Sequence, residues 1–108
     1  KANDAYEYFT TKRLIPVSNP NTIADGLKTS LSEKTFKIIL DGTDQIVTIE
    51  EEEIVNSMKL IWERLKIVCE PSCSLPLAAV LKNKKKFKGK KIGLILTGGN
   101  VDVNNLPF

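Results

Sequence analysis

The chain contains no histidine, one methionine, one tryptophan and two cysteines in 108 residues. Without histidine there is no Ser–His–Asp arrangement and no imidazole to ligate a metal. Cys69 and Cys73, four residues apart, would have to recruit carboxylates to hold zinc, which argues against a cysteine-rich metal module. They are expected instead as two small buried thiols in a reducing compartment. No GxxxxGK[ST] phosphate loop occurs. No apolar run reaches the ~18 residues that a membrane span needs, and no signal-peptide pattern opens the chain. A membrane partner is therefore not expected, and the cytoplasm is the expected location.

What is present is ordinary for a globular chain: 42% hydrophobic and 27% charged residues. The length suits one modest core or part of one, with no internal boundary over residues 1–108. Because it begins at Lys1, a trimmed piece of a longer protein is expected. The net charge of +3 is unevenly spread, with Glu50–Glu53 forming an acidic block. Lys82, Lys84, Lys85, Lys86, Lys88, Lys90 and Lys91 crowd a basic stretch. Such a stretch can grip phosphates. Phe87 is its only aromatic, too little for base stacking, so a solvated turn is the plainer reading and nucleic acid is not an expected partner.

Along the chain, Ala5, Tyr8 and Phe9 predict a helix over 3–12. Leu14–Val17 is expected to be extended, because Pro16 biases its predecessor toward β conformations. SNPN at 18–21 is a turn, and 22–32 is mostly loop. Phe36, Ile39 and Leu40 predict a second helix from Glu33 to near Asp41-Gly42. Residues 44–49 form a β-branched run expected as a strand. Thr48 and Glu51 have capping-box spacing before a helix on which Ile54, Met58, Ile61, Trp62, Leu65 and Val68 recur at helical period. Met58 and Trp62 on that stripe are expected in the core. A further helix should run through Leu81, capped by Ser72 or Ser74, with Pro76 in its first turn. Residues 91–96 resemble a buried strand. This order suggests a parallel α/β arrangement.

Two loops offer chemistry: Ala24-Asp25-Gly26, and Thr97-Gly98-Gly99-Asn100 at the carboxyl end of the last strand. Ligands of open α/β sheets tend to sit there. Thr97 supplies a hydroxyl, and glycines let a planar ligand approach the main chain, although a turn would use the same residues. Glu70 can act as an acid or base if buried, or simply as a helix-terminus carboxylate. From these residues alone, a small-molecule-binding regulatory α/β module remains an alternative to an enzyme.

In order and spacing, NDAY, TIADGLKTS, IWERLKIVCEPS and ILTGGNVD together resemble the C-terminal part of a fold-type II pyridoxal-phosphate enzyme. The resemblance is to serine racemases, serine/threonine dehydratases and threo-3-hydroxyaspartate ammonia-lyases, and covers nearly all of the chain. It implies that residues 1–108 are the C-terminal segment of the larger, cofactor-binding domain, with parallel strands and flanking helices. It implies that Thr97 bonds the pyridine nitrogen of pyridoxal phosphate, and that Gly26 packs near the cofactor while Gly98 and Gly99 shape the adjoining loop. The resemblance also implies that Glu70 belongs to the cofactor site. A neutral hydroxyl at that nitrogen leaves it largely unprotonated and suits β-elimination or racemisation of hydroxy amino acids. Asp4 and the carbonyl of Ala2 match ligands of a divalent cation such as Mg²⁺ or Ca²⁺, and Lys66 and Asn100 match nucleotide contacts of the animal serine racemases. The resemblance also implies a homodimer, an amino-acid substrate and a missing N-terminal part. The family's cofactor-bonding lysine and its tetraglycine phosphate loop have no counterpart in this sequence, so the segment alone is expected to be inactive. After EPS it also departs from the family's small residues, continuing with Cys73-Ser74-Leu75-Pro76.

Overall fold

A computed structural model of the chain describes residues 2–13, 15 and 18–108. It divides into two compact units, residues 1–48 and 49–108.

In the first unit, helix α1 spans Asp4–Thr11, with Asp4 and Glu7 in the first turn where the helix dipole favours negative charge. It stops at Lys12, whose left-handed backbone (φ 60°) lets its amide donate to the Tyr8 carbonyl at 2.7 Å. Helix α2 spans Glu33–Gly42 and is capped by Ser32, whose Oγ accepts from the Thr35 amide at 3.3 Å. Phe36, the buried residue of α2, lies against Tyr8 of α1, with ring centroids 3.5 Å apart. Between the helices, a single 3₁₀ turn covers Asp25–Leu27 next to the fully buried Ala24. The extended segment expected at 14–17 lies outside the described residues except for Ile15.

The second unit is built on α3 (Glu51–Leu60) and α4 (Pro71–Lys82). Helix α3 starts two residues after the position that the spacing of Thr48 and Glu51 predicts. The capping box belongs to Glu50 and Glu53, and Glu53 Oε2 accepts from the Glu50 amide at 2.8 Å. Two buried serines lock the helix pair. Ser57 Oγ donates to the Ile54 carbonyl at 3.0 Å and to the Ser74 carbonyl at 3.2 Å, and Ser74 Oγ donates to the Ile54 carbonyl at 3.1 Å. Lys82, at the end of α4, reaches Glu53 near the start of α3 at 2.9 Å, so the two run antiparallel. Met58, Ile61, Cys69 and Cys73 form the core, with Trp62, Leu77, Leu96, Val101 and Leu106 packed on it. The expectation of buried thiols and of Met58 and Trp62 in the core is met.

Four expectations differ from the structure. The helix does not continue to Val68: after Leu60 the backbone widens into a π segment, Ile61–Leu65, and ends at Lys66 in the left-handed region (φ 58°). Helix α4 is not capped by Ser72 or Ser74. Pro71 occupies its first turn and Glu70 is the N-cap, which leaves Pro76 inside the helix. Finally, no strand forms among the described residues, and 45–50 and 90–102 carry no ladder. A parallel strand exists only by hydrogen bonding to a neighbour. The segment 91–96 is also not buried as expected, with Ile95 77% exposed and only Leu96 on the core. The lysine stretch folds into a four-residue helix, α5 (Lys84–Phe87), and a turn with Gly89 at φ 77°.

Candidate functional site

The segment that enters the site begins in the core. Trp62 Nε1 donates to the Cys69 carbonyl at 3.0 Å, pinning the chain as it leaves the π segment. Cys69 is fully buried, and burial pushes its thiol up to about 11, with neighbouring Cys73 adding to the effect. Both cysteines are free. A buried, protonated thiol such as that of Cys69 serves packing rather than nucleophilic chemistry.

Glu70 follows. Proline at 71 disfavours the α region for the residue before it, and Glu70 is extended (φ −83°, ψ 164°), the conformation an N-cap needs. Its carbonyl accepts from the Cys73 amide at 3.1 Å and its own amide donates to the Gly98 carbonyl at 3.1 Å. Its carboxylate is divided between two donors. Oε1 accepts from Ser72 Oγ at 2.8 Å, and Oε2 accepts from the Asn100 amide at 3.0 Å. Ser72, read from sequence as a helix cap, instead donates to the carboxylate of the N-cap residue. The signal was Pro71, which marks the first helical residue and so identifies Glu70 as the residue before it.

The loop Thr97–Asn100 is thus held from both sides. A Cβ added at Gly98 would stand 3.1 Å from Glu70 Oε1, and one at Gly99 would stand 2.8 Å from the Val68 carbonyl. The faces that these glycines leave free are therefore filled by the protein's own groups. Val68 has no sequence signal for this role. Thr97 precedes the clamped residues; its side chain is exposed, and its hydroxyl has no hydrogen-bond partner among the described residues. An unspent hydroxyl on restrained backbone can donate to, or accept from, a flat polar edge.

The other expected residues distribute as follows. Lys66 and Asn100 are both exposed, on the two segments that Val68 and Gly99 bring into contact. Gly26 is the middle residue of the 3₁₀ turn in the first unit and is exposed. Asp4 is the first residue of α1 and Ala2 lies two residues before it, both half-buried. No group of three or more Cys, Asp or Glu side chains able to hold a metal forms among the described residues. None of their helices is long and apolar enough to cross a membrane.

Comparison with known proteins matches residues 1–98 to the family described as pyridoxal-phosphate dependent enzyme. The chain is 45% identical over 108 residues to the beta-hydroxyaspartate dehydratase of Paracoccus denitrificans (strain Pd 1222), covering 100% of this chain and 34% of that protein. It is 49% identical over 89 residues to the serine racemase of Dictyostelium discoideum, covering 81% and 28%. Maize serine racemase superposes with a TM-score of 0.88 at 35% identity, over 95% of this chain and 33% of that one. The chain spans about a third of the length of the curated relatives it matches. With the family matched over nearly its whole length, the chain belongs to the pyridoxal-phosphate dependent enzymes.

Proposed function

We propose that the intact protein is a pyridoxal-phosphate-dependent ammonia-lyase (dehydratase), a racemase, or both, acting on serine, threonine or 3-hydroxyaspartate. In this reading Thr97–Asn100 forms one wall of the cofactor site. The observation that carries it is the Thr97 hydroxyl, exposed and without a partner among the described residues, on a loop whose backbone is restrained by Glu70 and Val68. The names of the relatives, a dehydratase and a racemase, support the reaction class.

When bound, the cofactor supplies an electron-accepting ring that loosens the α-proton of an amino acid. Thr97 would meet the ring nitrogen with a neutral hydroxyl, which unlike a carboxylate does not hold a proton there. Gly26 would leave room beside the ring. The lysine and the tetraglycine loop would come from the rest of the enzyme, since neither motif occurs in this sequence. The apolar Ile67, Val68, Ile92, Leu94 and Ile95 are exposed on segments outside the helices. Such surface suits strands that pair with and pack against further chain, as the family's parallel sheet requires. Homodimerisation and a cytoplasmic location belong to the same reading.

Asp4 and the Ala2 carbonyl offer two oxygen ligands to a hard cation such as Mg²⁺ or Ca²⁺, and further oxygens would come from the remainder of the enzyme or from water. Lys66 and Asn100, on adjoining segments, are the positions for a nucleotide contact.

The test is Thr97→Asp in the full-length enzyme. The cofactor's absorption should change and turnover should fall about tenfold or more, an added barrier of roughly 1.4 kcal/mol, with the unfolding midpoint nearly unchanged. Unchanged turnover and absorption would sink the assignment of Thr97.

A further inference from the structure

We propose that Glu70 is a positioning residue for Thr97, and that glycine is required at position 98 because the Glu70 carboxylate, rather than the cofactor, fills the space of a side chain there. This rests on the reading of Thr97 given above.

Glu70 touches the loop three times. Its amide holds the Gly98 carbonyl, one residue beyond Thr97, and its Oε2 holds the Asn100 amide. Its Oε1 lies 3.1 Å from the place a Gly98 Cβ would take. Both carboxylate oxygens are engaged by groups of the chain itself, with Ser72 completing the set. Glu70 is in turn fixed by its position as the N-cap of a 12-residue helix whose first residue is proline. The bond from the Asn100 amide is charge-assisted, which makes it stronger than a bond between neutral groups. Losing it would free the backbone on the carboxyl side of Thr97, so that the hydroxyl meets its partner in many orientations instead of one. The effect of Glu70 on cofactor binding therefore runs through Thr97.

The experiment uses the full-length enzyme, stripped of pyridoxal phosphate and titrated with it, and reads affinity and absorption spectrum. Thr97→Ala sets the reference shift. Glu70→Ala should weaken binding about tenfold and move the spectrum in the same direction. Adding Glu70→Ala to Thr97→Ala should change affinity by no more than about twofold, because the two act as one unit. Glu70→Gln should stay within about threefold of the wild type, since a glutamine oxygen can accept from the Asn100 amide while its NH₂ donates to the Ser72 hydroxyl. Gly98→Ala should resemble Glu70→Ala in the wild-type background and lose most of its effect beside Glu70→Ala. Glu70→Gln and the single variant Gly98→Ala keep the test sharp if Glu70→Ala folds poorly.

If Thr97→Ala shifts the spectrum while Glu70→Ala adds fully to it, the positioning role is overturned and the cofactor site stands. A Glu70→Gln variant as impaired as Glu70→Ala overturns it equally, by showing that charge and not placement matters. If Thr97→Ala itself changes nothing, both readings fail.

Discussion

The backbone amide of Asn100 donates to Glu70 Oε2 at 3.0 Å across 30 residues of sequence. This bond, with the return bond from the Glu70 amide to the Gly98 carbonyl, ties a glycine loop to the start of α4. The loop is exposed, yet its conformation is set by the helix terminus beneath it. Binding loops are commonly placed by rigid elements in this way.

The same packing distinguishes one glycine from another. At Gly99 a Cβ would stand 2.8 Å from the Val68 carbonyl, a backbone atom that cannot rotate away, whereas Gly42 at the end of α2 has nothing within 4 Å. Gly99→Ala should therefore lower stability by about 1–3 kcal/mol, as overpacking does. Gly42→Ala should leave it unchanged or raise it by up to about 1 kcal/mol through the entropy of the unfolded chain. Urea denaturation of the full-length protein measures both, and equal effects would contradict the geometry.

Lys66 closes the π segment with φ 58°, a region costly for a side-chain-bearing residue. Lys66→Gly should stabilise the protein by about 0.5–1 kcal/mol. If Lys66 also contacts a nucleotide, that variant should gain thermal stability while losing any nucleotide-dependent rise in its midpoint.

Cys69 bears on the alkaline limb. Its thiol is held at about 11 by burial, above an ordinary value near 9. The native state keeps its proton where the unfolded chain gives it up. This contribution is fully present below pH 9 and is lost as pH rises toward 11. Midpoints recorded from pH 8 to pH 11 should fall less steeply in Cys69→Ala. Alkylation of the native protein at pH 8 should leave both buried cysteines unmodified until denaturant is added.

On the acid limb the sign reverses. The Glu50 amide, first, and Lys82, second, hold the Glu53 carboxyl below its ordinary value near 4.5. Its contribution is present above that pH and disappears as pH falls through the lower native value. Glu53→Gln should therefore show a flatter loss of stability on acidification below about pH 4.5 than the wild type. Chemical denaturation at pH 3, 4, 5 and 7 reads the difference.

Much of the fold is legible in the sequence. Helix α1, helix α2 and the stripe from Ile54 to Trp62 follow from apolar spacing, and Met58 and the two thiols fell in the core as expected. The misreadings arose where neighbouring cues compete. Four consecutive glutamates offer several capping registers, and the box settled on Glu50 and Glu53. Pro71 displaced Ser72 and Ser74 as the start of α4. Leu65 and Val68 continue the helical period, but the indole of Trp62 holds the Cys69 carbonyl on a chain that has already left the helix.

Within the site, the motif TGGN and its threonine were visible as letters, and the resemblance supplied a role for each. The sequence by itself determined helices α1 and α2, the body of α3 and the residue types of the candidate loop, because helical hydrogen bonds and apolar periodicity are settled within a few residues. Only the tertiary structure decided that the Glu70 carboxylate holds the loop, that Val68 fills the space beside Gly99, and that 44–49 and 91–96 form no strand among the described residues. Those outcomes depend on contacts with partners distant in the chain, and no local preference can specify them.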